Sequence, residues 1–308
     1  MSKKVAVIGS VNFDIMLSAD RLPMKGETYT VDNVNYCPGG KGINQAFQCA
    51  KLGADTYFYG CFSKDLFGEY LFNNIKNENL NMDKVKRVDC VQGMGIVNII
   101  NDGSVHANIY PGSNDFVDLE YIKSHISDLK AFDYIILQLE IPTRVVEYII
   151  EFVQNDKTKI ILNAAPAKDI NFNLLKKIDT LIVNEVEAEY YIGKKLDTLE
   201  DIIEEGKNLR DKLNINLIIT IGEKGSVLFI KDKFIKIEPV ITKNVVDTTG
   251  AGDSFIGAFV FALQKGYDYT EACNFGSLVA SKTITKIGAQ SAMPNFEEVY
   301  SGKGVKIK

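Results

Sequence analysis

The stretch Asp247-Thr248-Thr249-Gly250-Ala251-Gly252-Asp253-Ser254-Phe255 runs straight into an apolar pattern of helical period. Phe255, Ala258, Phe259 and Ala262 fall at i, i+3, i+4 and i+7, and Gly266 marks the stop. Glycines ahead of a helix let a ligand approach the backbone closely, and the unpaired amides of the first turn favour an anion. The helix dipole favours the ionised form of a carboxylate at that end, here Asp253. An anion bound beside it would push its proton affinity up, toward useful basicity. A bare G-x-G-D would be read as a tight turn and a first-turn acid; the longer run is far more specific. It is no dinucleotide fingerprint, because Phe255 stands where a glycine is needed, and the chain has no G-x-x-x-x-G-K-[ST] phosphate loop.

Outward from that helix, short β-branched runs recur at Val5–Ile8, Thr56–Tyr59, Tyr134–Leu137, Lys159–Leu162, Thr180–Val183 and Leu217–Thr220. Continuous apolar runs of this length suit strands covered on both faces. Helical patterns alternate with them, as at Ile43, Ala46, Phe47 and Ala50. Alternating strands and helices predict an α/β fold: a doubly wound, mostly parallel sheet flanked by helices. Two segments break the rhythm. Residues 15–36 alternate as a strand does, with turn signals at Leu22–Gly26 and Asp32–Asn33. Residues 94–110 read as a hairpin, Ile96–Ile100 and Val105–Tyr110 about a turn at Asn101-Asp102-Gly103. They predict a small β-sheet lid inserted into a single domain spanning 1–308.

Polar residues gather just past the apolar runs: Asn12 and Asp14, Gln138 and Glu140, Asn163, Asn184 and Glu185, Gly222 and Glu223. Strands must end in polar loops, but so many carboxylates and carboxamides there point to the crevice at the strand ends, where ligands of parallel sheets bind. A second glycine-rich helix start, Gly39-Gly40-Lys41-Gly42-Ile43-Asn44-Gln45-Ala46, reads either as a pocket for a polyhydroxylated ligand or as a cap with a solvated lysine.

The 308 residues carry 46 % apolar and 24 % charged side chains and a net charge of −5, which argues against non-specific nucleic-acid binding. Five scattered cysteines without a C-x-x-C pair read as reduced thiols of a cytoplasmic protein. The two histidines leave little material for a Ser-His-Asp hydrolase or a His-rich metal site. The N-terminal apolar run is too short for a signal peptide or a membrane span.

Taken together, the chain resembles the ribokinase family of carbohydrate and nucleoside kinases, the phosphofructokinase-B type. The blocks in order are G-S-x-N-x-D at 9–14, G-G-K-G-x-N-Q-A at 39–46, Q-L-E at 138–140 and N-x-A-P-A at 163–167. N-E-x-E at 184–187, T-x-G at 220–222, D-T-x-G-A-G-D-x-F at 247–255 and K-x-G-A-Q at 286–290 follow. The resemblance implies ATP-dependent phosphorylation of a sugar hydroxyl by in-line transfer. Asp253 would take the hydroxyl proton, and the amides of Gly250, Ala251 and Gly252 would form the anion hole. Asn12, Asp14, Gly40, Lys41, Asn44 and Glu140 would hold the sugar. Asn184, Thr220, Gly222, Gly225, Gly252 and Asn274 would lie at the ATP site. Asn184 and Glu187 would hold Mg²⁺ largely through water, whereas the residues alone read as a helix cap and its first-turn acid. A monovalent cation, K⁺, would sit among the carbonyls of Asp247, Thr249, Thr283, Lys286 and Gly288. Ala292 stands where the family often has a serine.

The same resemblance points to D-ribose, phosphorylated at its primary 5-hydroxyl to ribose 5-phosphate. Asp14, Asn44 and Lys41 offer mixed donors and acceptors for vicinal hydroxyls, and Glu140 disfavours a phosphorylated substrate. Another small sugar such as deoxyribose, or a nucleoside in a slot lined by Val34, Tyr36, Ile96, Ile109 and Tyr110, is the alternative. A silent sugar or nucleotide sensor would be marked by loss of Asp253 or its glycines, and both are present. Exposed lid strands would pair with a second copy, giving a homodimer.

Overall fold

In the computed structural model, which describes residues 3–75, 79–101, 104–155, 157–242 and 244–301, each of the β-branched runs forms a strand of one sheet. The order across that sheet is Lys233–Ile237, Ser226–Ile230, Asn216–Thr220, Thr180–Asn184, Lys159–Asn163, Tyr134–Gln138, Lys4–Ile8, Asp55–Tyr59 and Leu80–Asn81. Neighbours are parallel from Leu80–Asn81 to Asn216–Thr220. The last two strands turn back antiparallel at one edge. This is the doubly wound α/β architecture that the alternation predicts.

Successive side chains of a strand point to opposite faces, so each apolar run serves two cores. Ala6, Ile8, Ile135, Leu137, Leu162 and Leu217 join one core, against helices Leu119–Leu129, Thr143–Val153 and Leu199–Leu213. Val5, Val7, Ile136, Ile161, Ile182 and Ile218 join the other, against helices Lys41–Lys51, Ala251–Lys265 and Tyr269–Thr283. Burial on both sides is why these runs show no polar alternation.

Two helices of the second core start at the C-terminal ends of the strands. Lys41–Lys51 is buried from Gly42 to Ala50, and Ala251–Lys265 is buried from Asp253 to Gln264. Gly266, in the left-handed region with φ 93°, ends the latter as its sequence indicates.

The segments at 15–36 and 94–110 meet in a separate four-stranded sheet. Its order is Asn33–Gly39, Asn12–Ala19, Met94–Ile100, Val105–Tyr110. The middle pair is parallel and both outer pairs are antiparallel. Asp102 and Gly103 of the expected turn lie outside the described residues. The strand expected from residue 15 begins at Asn12, and its partner runs on to Gly39. Asn12 is fully buried there because its Oδ1 accepts from Asn114 Nδ2 at 2.7 Å, so a polar residue extends the strand without leaving a buried group unpaired. Asn12, Asp14 and Gly39 thereby belong to the small sheet. Among the described residues no helix is long and apolar enough to cross a membrane. All five cysteines are free thiols.

Candidate active site

Asp253 occupies the third position of its helix after Gly250, and its carboxylate is buried. Both oxygens are held from the neighbouring helix: Asn44 Nδ2 donates to Oδ2 at 3.0 Å and Gln45 Nε2 to Oδ1 at 2.9 Å. The first bond of helical type is Ser254 N to the Gly250 carbonyl, 2.8 Å. The amides of Gly252 and Asp253 therefore have no partner in their own helix. The Ala251 amide donates to the Thr248 carbonyl at 3.2 Å. That bond removes Ala251 as an open donor of the expected anion hole and leaves the task to its neighbours.

Burial pushes the Asp253 carboxyl up from its ordinary value, against the pull of Lys41, Asn44 and Gln45; Glu140 adds to the rise. The direction is that of a stronger base. Its first cause is desolvation by the fold itself.

Lys41 opens the facing helix. Burial works against its charge, yet the carboxylates of Asp253, Glu140, Glu187 and Asp14 together hold the ammonium above its ordinary value. Glu140 also clamps the helix start: its Oε2 accepts from Ser10 Oγ at 2.6 Å and from the Lys41 amide at 2.9 Å. One oxygen of Glu140 is thus structural.

Asp14 sits between two glycines. A Cβ at Gly39 would fall 1.8 Å from its Oδ2, and one at Gly95 would fall 2.4 Å from its Oδ1. Burial pushes its carboxyl up to about 7; Glu140 adds to this, and the Gly95 amide favours the charged form without completing a hydrogen bond to Oδ1. Among the described residues that oxygen is buried with no hydrogen-bond partner.

A cavity of about 140 Å³ reaches Lys41 and Asp253 and is walled also by Asn163, Asn184, Glu187, Thr220, Gly250 and Gly252, with Ile182, Val183 and Phe255 on its apolar side; Asp14, Asn44 and Glu140 are not among its walls. It lies where the strands end: Gln138 is level with Asn163, and Asn184 with Thr220. A larger depression of about 840 Å³, between helix Leu199–Leu213 and the turn at Lys231–Phe234, shares no residue with it.

Residues 2–295 match the family described as pfkB family carbohydrate kinase. The chain belongs to this family. Among curated relatives it is 32 % identical to a deoxyribokinase of Salmonella typhi, with 96 % of each chain covered. It is 31 % identical to a ribokinase of Haemophilus influenzae, with 97 % of each covered. Among solved structures it is similar to the Arabidopsis thaliana ribokinase complexed with ribose and ATP, with TM-score 0.89, 31 % identity and coverage of 97 % and 98 %. A nucleoside kinase from Methanocaldococcus jannaschii, 20 % identical with TM-score 0.77 and coverage of 97 % and 98 %, shares the fold. The protein is a carbohydrate kinase of the ribokinase type.

The remaining positions read from this kinase's sequence are placed unevenly. Gly40 is buried, with φ 95°, against the backbone of Val11 and Asn12. Asn184 and Glu187 form a reciprocal capping box, with Asn184 N to Glu187 Oε2 and Glu187 N to Asn184 Oδ1 both at 2.9 Å. The cap and first-turn acid are therefore real, and both residues also line the cavity. Thr220 lines it as well, whereas Gly222 and Gly225 lie in the turn beyond. A Cβ at Gly225 would fall 2.1 Å from the Ile237 carbonyl oxygen, so that turn is tight. Asn274 is exposed on its helix and is not among the cavity walls.

The loop leading into helix Ala251–Lys265 pairs with the segment before residue 290. Asp247 accepts from the Thr249 amide at 2.9 Å and from the Gly288 amide at 2.8 Å. The Thr283 carbonyl accepts from the Lys286 amide at 3.2 Å, and the Lys286 ammonium reaches Glu298 at 3.2 Å. Ala292 is fully buried, and Ser291 Oγ donates to the Ile287 carbonyl at 3.0 Å.

Four further polar residues meet at the site: Gln45, Gln138 and Gln290 lie inside the quoted blocks without an individual role, and Asn114 lies in none. Asn114 bonds the Val11 amide at 2.8 Å as well as Asn12. Gln290 donates to Asn44 Oδ1 at 3.0 Å. Gln138 donates to Gln45 Oε1 at 2.8 Å, and Gln45 also donates to Asn163 Oδ1 at 3.1 Å. One signal for this set is present in the sequence: no charged residue occurs from Gly42 to Ala50, so the amides of that helix had to be buried and paired.

Proposed function

We propose that this carbohydrate kinase transfers the terminal phosphoryl group of ATP to the primary 5-hydroxyl of D-ribose, giving ribose 5-phosphate. The observation that supports it best is Asp253: a buried carboxylate of raised basicity at a glycine-rich helix start, both oxygens fixed by amides. In this reading Asp253 accepts the proton as the hydroxyl oxygen attacks the phosphorus and the bond to the departing ADP oxygen breaks. The amides of Gly250, Gly252 and Asp253, with Lys41, meet the charge carried by the transferred group. Asn12, Asp14, Gly40, Asn44 and the second oxygen of Glu140 hold the sugar. Thr220, Gly222 and Gly225 flank the nucleotide, with Asn274 at its periphery.

Mg²⁺ fits the donor set as an ion held mainly by phosphate and water. Glu187 is buried on the cavity wall, but one of its oxygens caps a helix, and among the described residues no three His, Cys, Asp or Glu side chains cluster to hold a metal. When bound, the ion neutralises phosphate charge. A K⁺ ion would take carbonyls of Asp247, Thr249, Thr283, Lys286 and Gly288, near the Ala251–Lys265 helix start. The small sheet, segments 15–36 and 94–110, acts as a lid on one cytoplasmic domain and as its dimer surface.

A second reading, deoxyribose as acceptor, is favoured by the 32 % identity to deoxyribokinases over nearly the whole chain. ATP-dependent phosphorylation of ribose, deoxyribose, fructose and adenosine, each with and without K⁺, separates the two. Preference for ribose supports the assignment; preference for deoxyribose overturns the role given to the hydroxyl contacts while keeping Asp253.

A further inference from the structure

We propose that Gln45 is a positioning residue for Asp253, its amide orientation set from behind by Asn163 and completed by a hydrogen bond from Gln138. The inference rests on Asp253 acting as the base. A carboxamide can turn either its NH₂ or its oxygen toward a neighbour, and here one orientation is forced. Asn163 Nδ2 donates to the backbone carbonyl of Ile182 at 3.2 Å, so Asn163 Oδ1 faces Gln45 and requires a donor. Asn163 thereby directs the Gln45 NH₂, which also donates to Asp253 Oδ1 at 2.9 Å. Flipping Gln45 would set oxygen against oxygen at both Asp253 and Asn163. Gln138 Nε2 then donates to Gln45 Oε1 at 2.8 Å; its own Oε1 has no partner among the described residues, so Gln138 completes the orientation rather than setting it.

All three amides are buried, at two strand ends and on a helix that the core fixes rather than in a loop. The chain runs from a backbone carbonyl of the central sheet to the carboxylate. It holds one Asp253 oxygen in place, and Asn44, oriented in turn by Gln290, holds the other. Neither Gln45 nor Gln138 is among the cavity walls, so their effect reaches the substrate through Asp253.

The test is steady-state kinetics of Gln45→Met and Gln138→Met beside Asp253→Asn, with thermal melting of each. Methionine keeps the side-chain length and removes the donors. Gln45→Met is expected to lower kcat about tenfold to a hundredfold, the scale of a lost hydrogen bond to a charged group, with KM for sugar and ATP changed less than about threefold. Gln138→Met, one step further away, should lower kcat by a smaller factor in the same pattern. Unchanged kcat in both variants, or a loss carried by KM, overturns the positioning role. If Gln45→Met does not fold, Gln138→Met decides. If Asp253→Asn keeps its turnover, the base assignment fails instead, whatever the glutamines do.

Discussion

The Cβ that Gly257 lacks would stand 2.8 Å from the carbonyl oxygen of Gln45 and 2.7 Å from Cβ of Gln48. Backbone and the root of a side chain cannot swing aside, so this glycine sets how closely the two helices meet. Cys49 Sγ reaches the Gly257 carbonyl at 3.2 Å, and Ser254 Oγ donates to Gln48 Oε1 at 2.9 Å along the same seam. Gly257→Ala should cost about 1–3 kcal/mol of stability and loosen the hold on Asp253. Denaturant unfolding with turnover measurement checks this; a variant as stable and as active as the parent shows that the seam has room.

Asp253→Asn removes the base while keeping the shape of the pocket. Turnover should fall about 10²- to 10⁴-fold, with ATP affinity changed by no more than about threefold. Calorimetric titration of nucleotide beside a phosphorylation assay gives both numbers. Near-parental turnover would remove Asp253 from the chemistry.

Asp14 makes the fold pH-sensitive in the direction opposite to a salt-bridged acid. Its carboxyl titrates near 3.8 when unfolded and at about 7 in the fold, so between these values the folded chain holds a proton that the unfolded chain gives up. The corresponding stability is present below the unfolded value and is lost as pH rises through that window. Asp14→Asn should therefore melt with the parent near pH 4 and above it at pH 8, by on the order of a few degrees. A difference that stays flat with pH contradicts this.

If the small sheet closes on bound sugar, its strands Met94–Ile100 and Val105–Tyr110 should gain protection from hydrogen exchange when substrate is added. Equal exchange with and without sugar would make the sheet a fixed wall.

Much of this was legible before any coordinates. Short β-branched runs bounded by turn signals suit strands buried on both faces, and the glycine at 266 marks the end of an apolar helix. Such signals are local, and so is the capping box of Asn184 and Glu187, which the sequence also suggested. What stayed hidden depends on topology. Gln45 and Gln138 are far apart in the chain and meet because Lys41–Lys51 lies across the end of Tyr134–Gln138. Asn114 carries no motif, and its use appears only once the strand of Asn12 is seen to begin early.

The two glycines let the Asp14 carboxylate sit where any side chain would collide with it, and among the described residues its Oδ1 is buried without a hydrogen-bond partner. Such a group discriminates by what a guest supplies, not by its outline. If Asp14 holds the sugar as proposed, a molecule of the right shape but short of one hydroxyl leaves that oxygen unpaired, whereas one that brings the hydroxyl pairs it.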